Sequence, residues 1–272
     1  MSVINTNVKS LIAQQALAVN NRALSKSMEQ LSTGKRINSA SDDAAGLAIG
    51  NKMTSQIRGL NQAVRNANDA ISMIQTAEGS LDQVTNMLQR MRELAVQASN
   101  GTYSATDRES LNTEFSALES EITRISDKTT WNGTTILATS AATSFQIGNA
   151  SGDQVALTFQ DVVGSTIAAS ATGGAISTIA TASNAITDID TAIASVDTYR
   201  STLGSMVNRL TYAVDNLTNV STNTAASRSR IVDTDYAAAT TEMARNQIIQ
   251  QAATAMLAQA NQGPASVLSL LQ

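Results

Sequence analysis

Residues 53–99 read MTSQIRGLNQAVRNANDAISMIQTAEGSLDQVTNMLQRMRELAVQAS, and their apolar spacing decides the fold. The apolar residues step by four and three through Met53, Ile57, Leu60, Val64, Ala67, Ile71 and Ile74. They resume at Leu81, Val84, Leu88, Met91, Ala95 and Ala98, with the register crossing Glu78 in between. Such a recurrence puts every one of these side chains on one seam of a slightly underwound helix. A helix over 43–99 is on the order of 80 Å long at 1.5 Å per residue, which no compact globule needs.

Working outward, Asn100-Gly101 is the natural break, and Ser104-Ala-Thr-Asp107 opens a new helix with early negative charge. Its seam is Leu111, Phe115, Leu118, Ile122 and Ile125. A third long seam runs Ile186, Ile189, Ile193 and Val196, then across Arg200 to Leu203, Val207, Leu210, Val214 and Leu217. Three heptad helices joined by short turns predict a rod-like antiparallel bundle. Its expected continuous core is Ile57, Leu60, Val64, Ile71, Leu88, Leu118, Ile122, Ile189, Ile193, Leu203 and Leu210.

Between the helices, 129–180 is rich in Ser, Thr, Ala and Gly. Short strands are expected at 134–137, 144–147 and 155–159, with Asn149-Ala-Ser-Gly152 as the turn of a small β-hairpin. Residues 164–180 are low in charge and read as a surface excursion. At the two ends, Leu17, Leu24, Met28 and Leu31, and Met243, Ile249, Ala252, Met256 and Ala260, each outline an amphipathic helix. Both are thinly apolar and studded with Asn and Gln, so neither is stable alone in water and each needs the other as partner. The fold class is therefore mainly α: an elongated antiparallel coiled-coil or helical-bundle rod with a small β-hairpin region and paired terminal helices.

Composition agrees. Aromatics are 3% of the 272 residues against a hydrophobic total of 42%, which suits narrow helix seams better than a thick interior. The single proline, Pro264, leaves most of the chain free to run in long helices. With Lys+Arg 18 against Asp+Glu 22 and no basic cluster, nucleic acid is not an expected partner. Neither a cleavable hydrophobic signal nor a membrane span is legible, so export would read some other feature.

The chain has no His and no Cys, which removes thiol catalysis, zinc-thiolate sites and disulfides and leaves an enzyme hard to place. No catalytic residue, cofactor or metal site is expected. Asp188/Asp190 and Asp233/Asp235 lack the spacing of a calcium loop and read as solvated helix-end carboxylates. Gly34-Lys35 ends like a phosphate-binding loop, yet Arg36 replaces the hydroxyl residue such a loop needs. Gly34 reads better as a helix C-cap with a basic last turn, and Ser39-Ala-Ser-Asp42 as a capping box opening the next helix. Asn132-Gly-Thr134 and Asn149-Ala-Ser151 match the glycosylation pattern at very low specificity.

The ends also carry wording that resembles the bacterial flagellin family. The resemblance rests on Val3-Ile-Asn-Thr-Asn7, Leu31-Ser-Thr-Gly-Lys-Arg-Ile-Asn-Ser-Ala40, Asp42-Asp-Ala-Ala-Gly46, Arg65-Asn-Ala-Asn-Asp69, Gln75-Thr-Ala-Glu-Gly79 and Leu88-Gln-Arg-Met-Arg-Glu-Leu-Ala-Val-Gln97. It continues in Ser229-Arg-Ile-Val-Asp-Thr-Asp-Tyr-Ala237, Leu257-Ala-Gln-Ala-Asn-Gln262 and Val267-Leu-Ser-Leu-Leu271. These blocks cover roughly two thirds of the chain in the family's order. The resemblance implies a short flagellin with little or no outer-domain insertion: a secreted, extracellular subunit of the bacterial flagellum that polymerises with itself and gives motility.

It also implies divisions at 1–42 (N-terminal part of an inner coiled-coil domain and linker), 43–128 (N-terminal rod helices), 129–180 (small β region and loop), 181–228 (C-terminal rod helix) and 229–272 (linker and C-terminal part of the inner domain). Polymerisation would use Leu17, Leu24, Met28, Leu31, Ile249, Met256, Leu257, Val267, Leu268, Leu270 and Leu271. Implied partners are the flagellar type III export apparatus, an export chaperone on the C-terminal segment, and filament cap and hook-junction proteins. Arg90, Leu94 and Glu114 match the surface read by the host flagellin-sensing Toll-like receptor, and Leu94, outside the Met91/Ala95 seam, is expected to be free for contact. Two other readings are a hook-filament junction protein and a secreted coiled-coil adhesin or effector. The first diverges from the wording at 90–97, and the second would keep its activity without the terminal helices.

Overall fold

The computed structural model describes residues 6–162 and 175–268. Five helices form among them: α1 (Val8–Thr33), α2 (Ala44–Ser99), α3 (Ala105–Lys128), α4 (Ile179–Val232) and α5 (Tyr236–Leu268). Four short strands lie between α3 and α4: β1 (Thr130–Trp131), β2 (Thr134–Thr135), β3 (Ala142–Gln146) and β4 (Gln154–Thr158). The fold is thus mainly α with two small antiparallel sheets, and it divides into two compact units, one of residues 58–221 and one joining 1–57 to 222–272.

In the 58–221 unit, α2 and α4 run antiparallel in one unbroken register. Ser221 Oγ donates to Asn61 Oδ1 at 3.0 Å, Arg200 meets Asp82 at 3.3 Å, and Arg92 meets Asp190 at 2.7 Å. Steps along one helix equal the opposite steps along the other, so no residue is skipped. The buried line of α2 is Leu60, Ala63, Ala67, Ala70, Ile74, Ala77, Leu81, Val84, Leu88, Met91, Ala95 and Ala98, a strict alternation of three and four. That of α4 is Ala182, Ala185, Ile189, Ala192, Val196, Tyr199, Leu203, Met206 and Leu210.

Of the eleven core residues read from sequence, Leu60, Leu88, Ile122, Ile189, Leu203 and Leu210 are buried, while Ile57, Val64, Ile71, Leu118 and Ile193 are half-buried. The half-buried α2 and α4 residues flank a line that runs through alanines. The register also passes Ala77 rather than Glu78 and Tyr199 rather than Arg200, so the bulkier or charged neighbour lies beside the seam. Small side chains at the contact let two helix backbones approach closely, and the larger ones close over the edges.

A capping box starts α3, with Ser104 and Asp107 exchanging side-chain-to-backbone bonds. The α2 C-terminus is tied down by buried Arg108, whose guanidinium donates to the carbonyls of Ala98 and Asn100 at 2.8 and 3.1 Å. Phe115 and Ile122 then enter the common core. Asn132 (φ 48) and Gly133 (φ 80) form the tight turn between β1 and β2, a two-residue hairpin signature that the glycosylation reading overlooked. The second hairpin pairs Ala142 with Thr158 and Gln146 with Gln154, and is held to α2 by Asn66 Nδ2 donating to Gln146 O at 3.0 Å. Beside it Gly59 leaves room for the Asn149 side chain, which a Cβ there would push aside. The expected excursion at 164–180 ends earlier than read, because Ile176 is buried and its N–H donates to Asn112 Oδ1 at 2.9 Å; residues 164–174 lie outside the described residues.

In the other unit, α1 pairs with α5, and the segments that follow α1 and precede α5 are stitched together. Gly34 ends α1 in the left-handed region (φ 68), Thr234 N donates to Gly34 O at 3.0 Å, and Arg36 N donates to Val232 O at 2.7 Å. Lys35 and Arg36 therefore lie beyond the helix, pairing with Asp233 and with the carbonyls of Ile231 and Val232, rather than forming a basic last turn. Ser39 does not cap α2. That role belongs to Asp43, whose Oδ1 accepts from Gly46 N at 2.8 Å.

Asp42 instead holds the preceding turn, accepting from Lys26 Nζ at 2.8 Å and from the amides of Ser39 and Asn38 at 3.0 and 3.2 Å. Lys26, then these amides, keep its carboxyl well below the usual carboxylate range. A lowered folded-state value means that this tie is present at neutral pH and is lost only as the pH falls from the usual carboxylate range through that value. Asp42→Asn is expected to speed amide exchange at Asn38 and Ser39 at pH 7 and to flatten the acid response of this turn; unchanged exchange would show that the tie contributes nothing.

Candidate assembly interface

The two terminal helices build their contact from the same three-and-four spacing, filled with unusual residues. On α1 the inward positions are Ser10, Ala13, Leu17, Asn20, Leu24, Ser27 and Leu31, and on α5 they are Ala239, Met243, Asn246, Gln250, Ala253, Leu257 and Ala260. Only Ser10, Asn20, Ser27, Asn246 and Ala239 among them are fully buried, so the seam is largely polar or small. Asn20 Nδ2 donates to Asn246 O and Asn7 Nδ2 to Ala260 O, both at 2.8 Å, and Gln250 Nε2 donates to Asn21 Oδ1 at 3.0 Å. Buried amides specify register and orientation at a cost in stability.

The outward faces carry the bulk. Val8, Leu11, Ile12 (62% exposed) and Val19 stand out on α1, and Ile248 (66% exposed), Ile249 and Met256 on α5. Of the terminal residues read from sequence, Leu17, Leu24, Leu31 and Leu257 lie on the seam, whereas Met28, Ile249 and Met256 point away from it. Val267 and Leu268 fall in the last turn of α5, with side chains outside the described residues, and Leu270 and Leu271 lie outside them altogether. The seam polars Asn20 and Asn246 were missed because a search for apolar residues skips them, although their spacing carries the same signal.

On the 58–221 unit, Arg90 and Glu114 are half-exposed and joined at 2.9 Å, with Glu93 also on Arg90 at 2.9 Å. Leu94 differs from expectation. It is 1% exposed, covered where α3 lies over α2 and packed in the same cluster as Phe115. A residue outside a two-helix seam is free only where no third helix covers it. Among the described residues no group of three or more His, Cys, Asp or Glu could hold a metal, and no helix is long and apolar enough to cross a membrane.

The antiparallel helices of the 58–221 unit, and in the other unit paired N- and C-terminal helices with apolar outer faces, describe a helical structural subunit. The family profile of the bacterial flagellin N-terminal helical region matches residues 4–142, and that of the bacterial flagellin C-terminal helical region matches 186–271. A flagellin of Halalkalibacterium halodurans is 47% identical over 271 residues, covering 99% of this chain and all of that one. Flagellin B of Vibrio cholerae is 36% identical over 371 aligned positions, covering 98% of this chain and 99% of that one. In the crystal structure of Bacillus cereus flagellin, 94% of that chain aligns with 60% of this one at 39% identity and a TM-score of 0.51. The chain belongs to the bacterial flagellin family, the filament subunits of the extracellular flagellum, and it is a short form. The family is structural, not enzymatic, and self-association comes with it.

Proposed function

We propose that this chain assembles head-to-tail with copies of itself through its terminal helices, and that the resulting filament gives swimming motility. The observation that carries the reading is the outward apolar face of α1 and α5, from Val8, Leu11 and Ile12 to Ile248 and Met256, on helices whose mutual seam is thinly apolar and interrupted by Ser, Asn and Gln. Contiguous exposed apolar surface marks an interaction site, and a heterologous contact that does not close generates a helical polymer. On this reading 1–42 and 229–272 form the inner paired-helix part, and 43–128 with 181–228 the rod that carries the 129–180 β region.

The same exposed faces explain the need for a chaperone on the C-terminal segment before passage through the flagellar type III export apparatus, and for cap and hook-junction proteins at the ends of the polymer. The exposed Arg90–Glu114 pair is the feature offered to a host flagellin-sensing Toll-like receptor, with Leu94 serving as packing beneath it rather than as a free contact. The test of assembly is truncation. A chain lacking 1–33 or 237–272 is expected to keep the helicity of 58–221 and to lose the ability to elongate filament seeds. Seed elongation by the truncated chain at the rate of the intact one would remove the terminal helices from the mechanism.

A further inference from the structure

The only proline of the chain, Pro264, stands inside α5. A helix carbonyl is normally bonded by the N–H four residues ahead, so a residue without an N–H at 264 leaves the carbonyl of Ala260 without its intrahelical donor. The missing donor comes from the opposite end of the chain: Asn7 Nδ2 donates to Ala260 O at 2.8 Å. The same amide works in two directions, because Asn7 is also the N-cap of α1 and its Oδ1 accepts from Ser10 N at 3.1 Å. One side chain thus satisfies the first turn of α1 and the carbonyl that proline orphans in α5.

We propose that Asn7 and Pro264 form a latch that selects the register in which the N- and C-terminal helices pair; this deepens the assembly reading and rests on it. A heptad seam of small residues discriminates poorly between registers, because sliding by one heptad brings equivalent positions together again. Pro264 breaks that equivalence. In one register Ala260 O is bonded by Asn7, while in a slipped register both this carbonyl and the Asn7 amide lose their partners, and leaving a partly buried bond unmade is costly. Asn20, about two heptads further along α1, donates to Asn246 O in the same register, so the two ties reinforce one another.

The experiment is a double-mutant cycle on the full chain, read as the critical concentration for elongating seeds of the unmodified protein. Asn7→Ser and Asn7→Asp both keep a good N-cap but remove the amide donor. Each is expected to raise the critical concentration up to about tenfold, the effect of one lost, partly buried bond. Pro264→Ala returns an N–H to Ala260 O, and in the Asn7→Ser background it is expected to bring the critical concentration back to within about threefold of the parent. Elongation by Asn7→Ser at the parent's critical concentration, or effects of the two positions that simply add, overturns the latch. Failure of the unmodified chain to elongate its own seeds would overturn the assembly reading instead.

Discussion

Leu81→Asp is expected to unfold the 58–221 unit, while a carboxylate three residues away is already tolerated in the native chain. Leu81 has no exposed surface and lies in the middle of the common core of α2, α3 and α4. A carboxylate there faces the apolar seam rather than Arg200, which Glu78 and Asp82 already hold, and loses the leucine's packing as well, a combined cost on the order of 5 kcal/mol. For a unit of this size that corresponds to a fall of roughly 10–20 °C in the thermal midpoint, or to loss of helicity at room temperature. Glu78 is the internal control. It sits beside the seam, 4.0 Å from Arg200, and the line of burial passes through Ala77 instead. Equal stability of Leu81→Asp and the parent by thermal circular dichroism would mean that the seam is not the structural core.

The same contrast shows what was legible in the sequence. Heptad spacing located the long helices, and every core position with a large aliphatic residue at Leu60, Leu88, Ile189, Leu203 and Leu210 is buried. The positions between them were displaced by one, because Val64 and Ile71 look more like core than Ala63 and Ala70 do. Hydrophobicity alone rewards the larger side chain, whereas close helix approach rewards the smaller one, and the resolution lies in the distance between backbones. Ile193 beside Ala192 repeats the pattern on α4.

Tertiary contacts decided what the sequence left open. Asp42 and Asp43 are equivalent as letters, but Lys26 and the amides of Asn38 and Ser39 take the first, leaving the second to cap α2. Leu94 becomes core only because α3 covers α2 at that level. At the termini the apolar residues that stand out in the sequence are in large part the outward ones, since the inner seam is made of Ser, Ala, Asn and Gln with Leu at intervals. An amphipathic reading that assumes a single apolar face therefore puts Leu17, Leu24, Leu31 and Leu257 correctly on the seam but adds Met28, Ile249 and Met256, which look outward.

The outward apolar face gives the second large effect. Ile248→Asp is expected to leave the α1/α5 seam intact, since Ile248 is 66% exposed and lies beside neither Asn246 O nor Ala260 O bonds to α1. An exposed charge in a helix changes stability by only about 0.5 kcal/mol. In an assembled polymer the same carboxylate would be buried against a neighbouring copy without a partner, a penalty on the order of 3 kcal/mol per contact, or more than a hundredfold in critical concentration. Ile12→Asp on the outward face of α1 should behave alike, whereas Leu257→Asp, on the seam, should weaken pairing and assembly together. Circular dichroism of the soluble chain and seeded elongation measured side by side separate these outcomes. If Ile248→Asp elongates seeds like the parent, the outward face of α5 is not a contact between copies, and assembly must run through another surface.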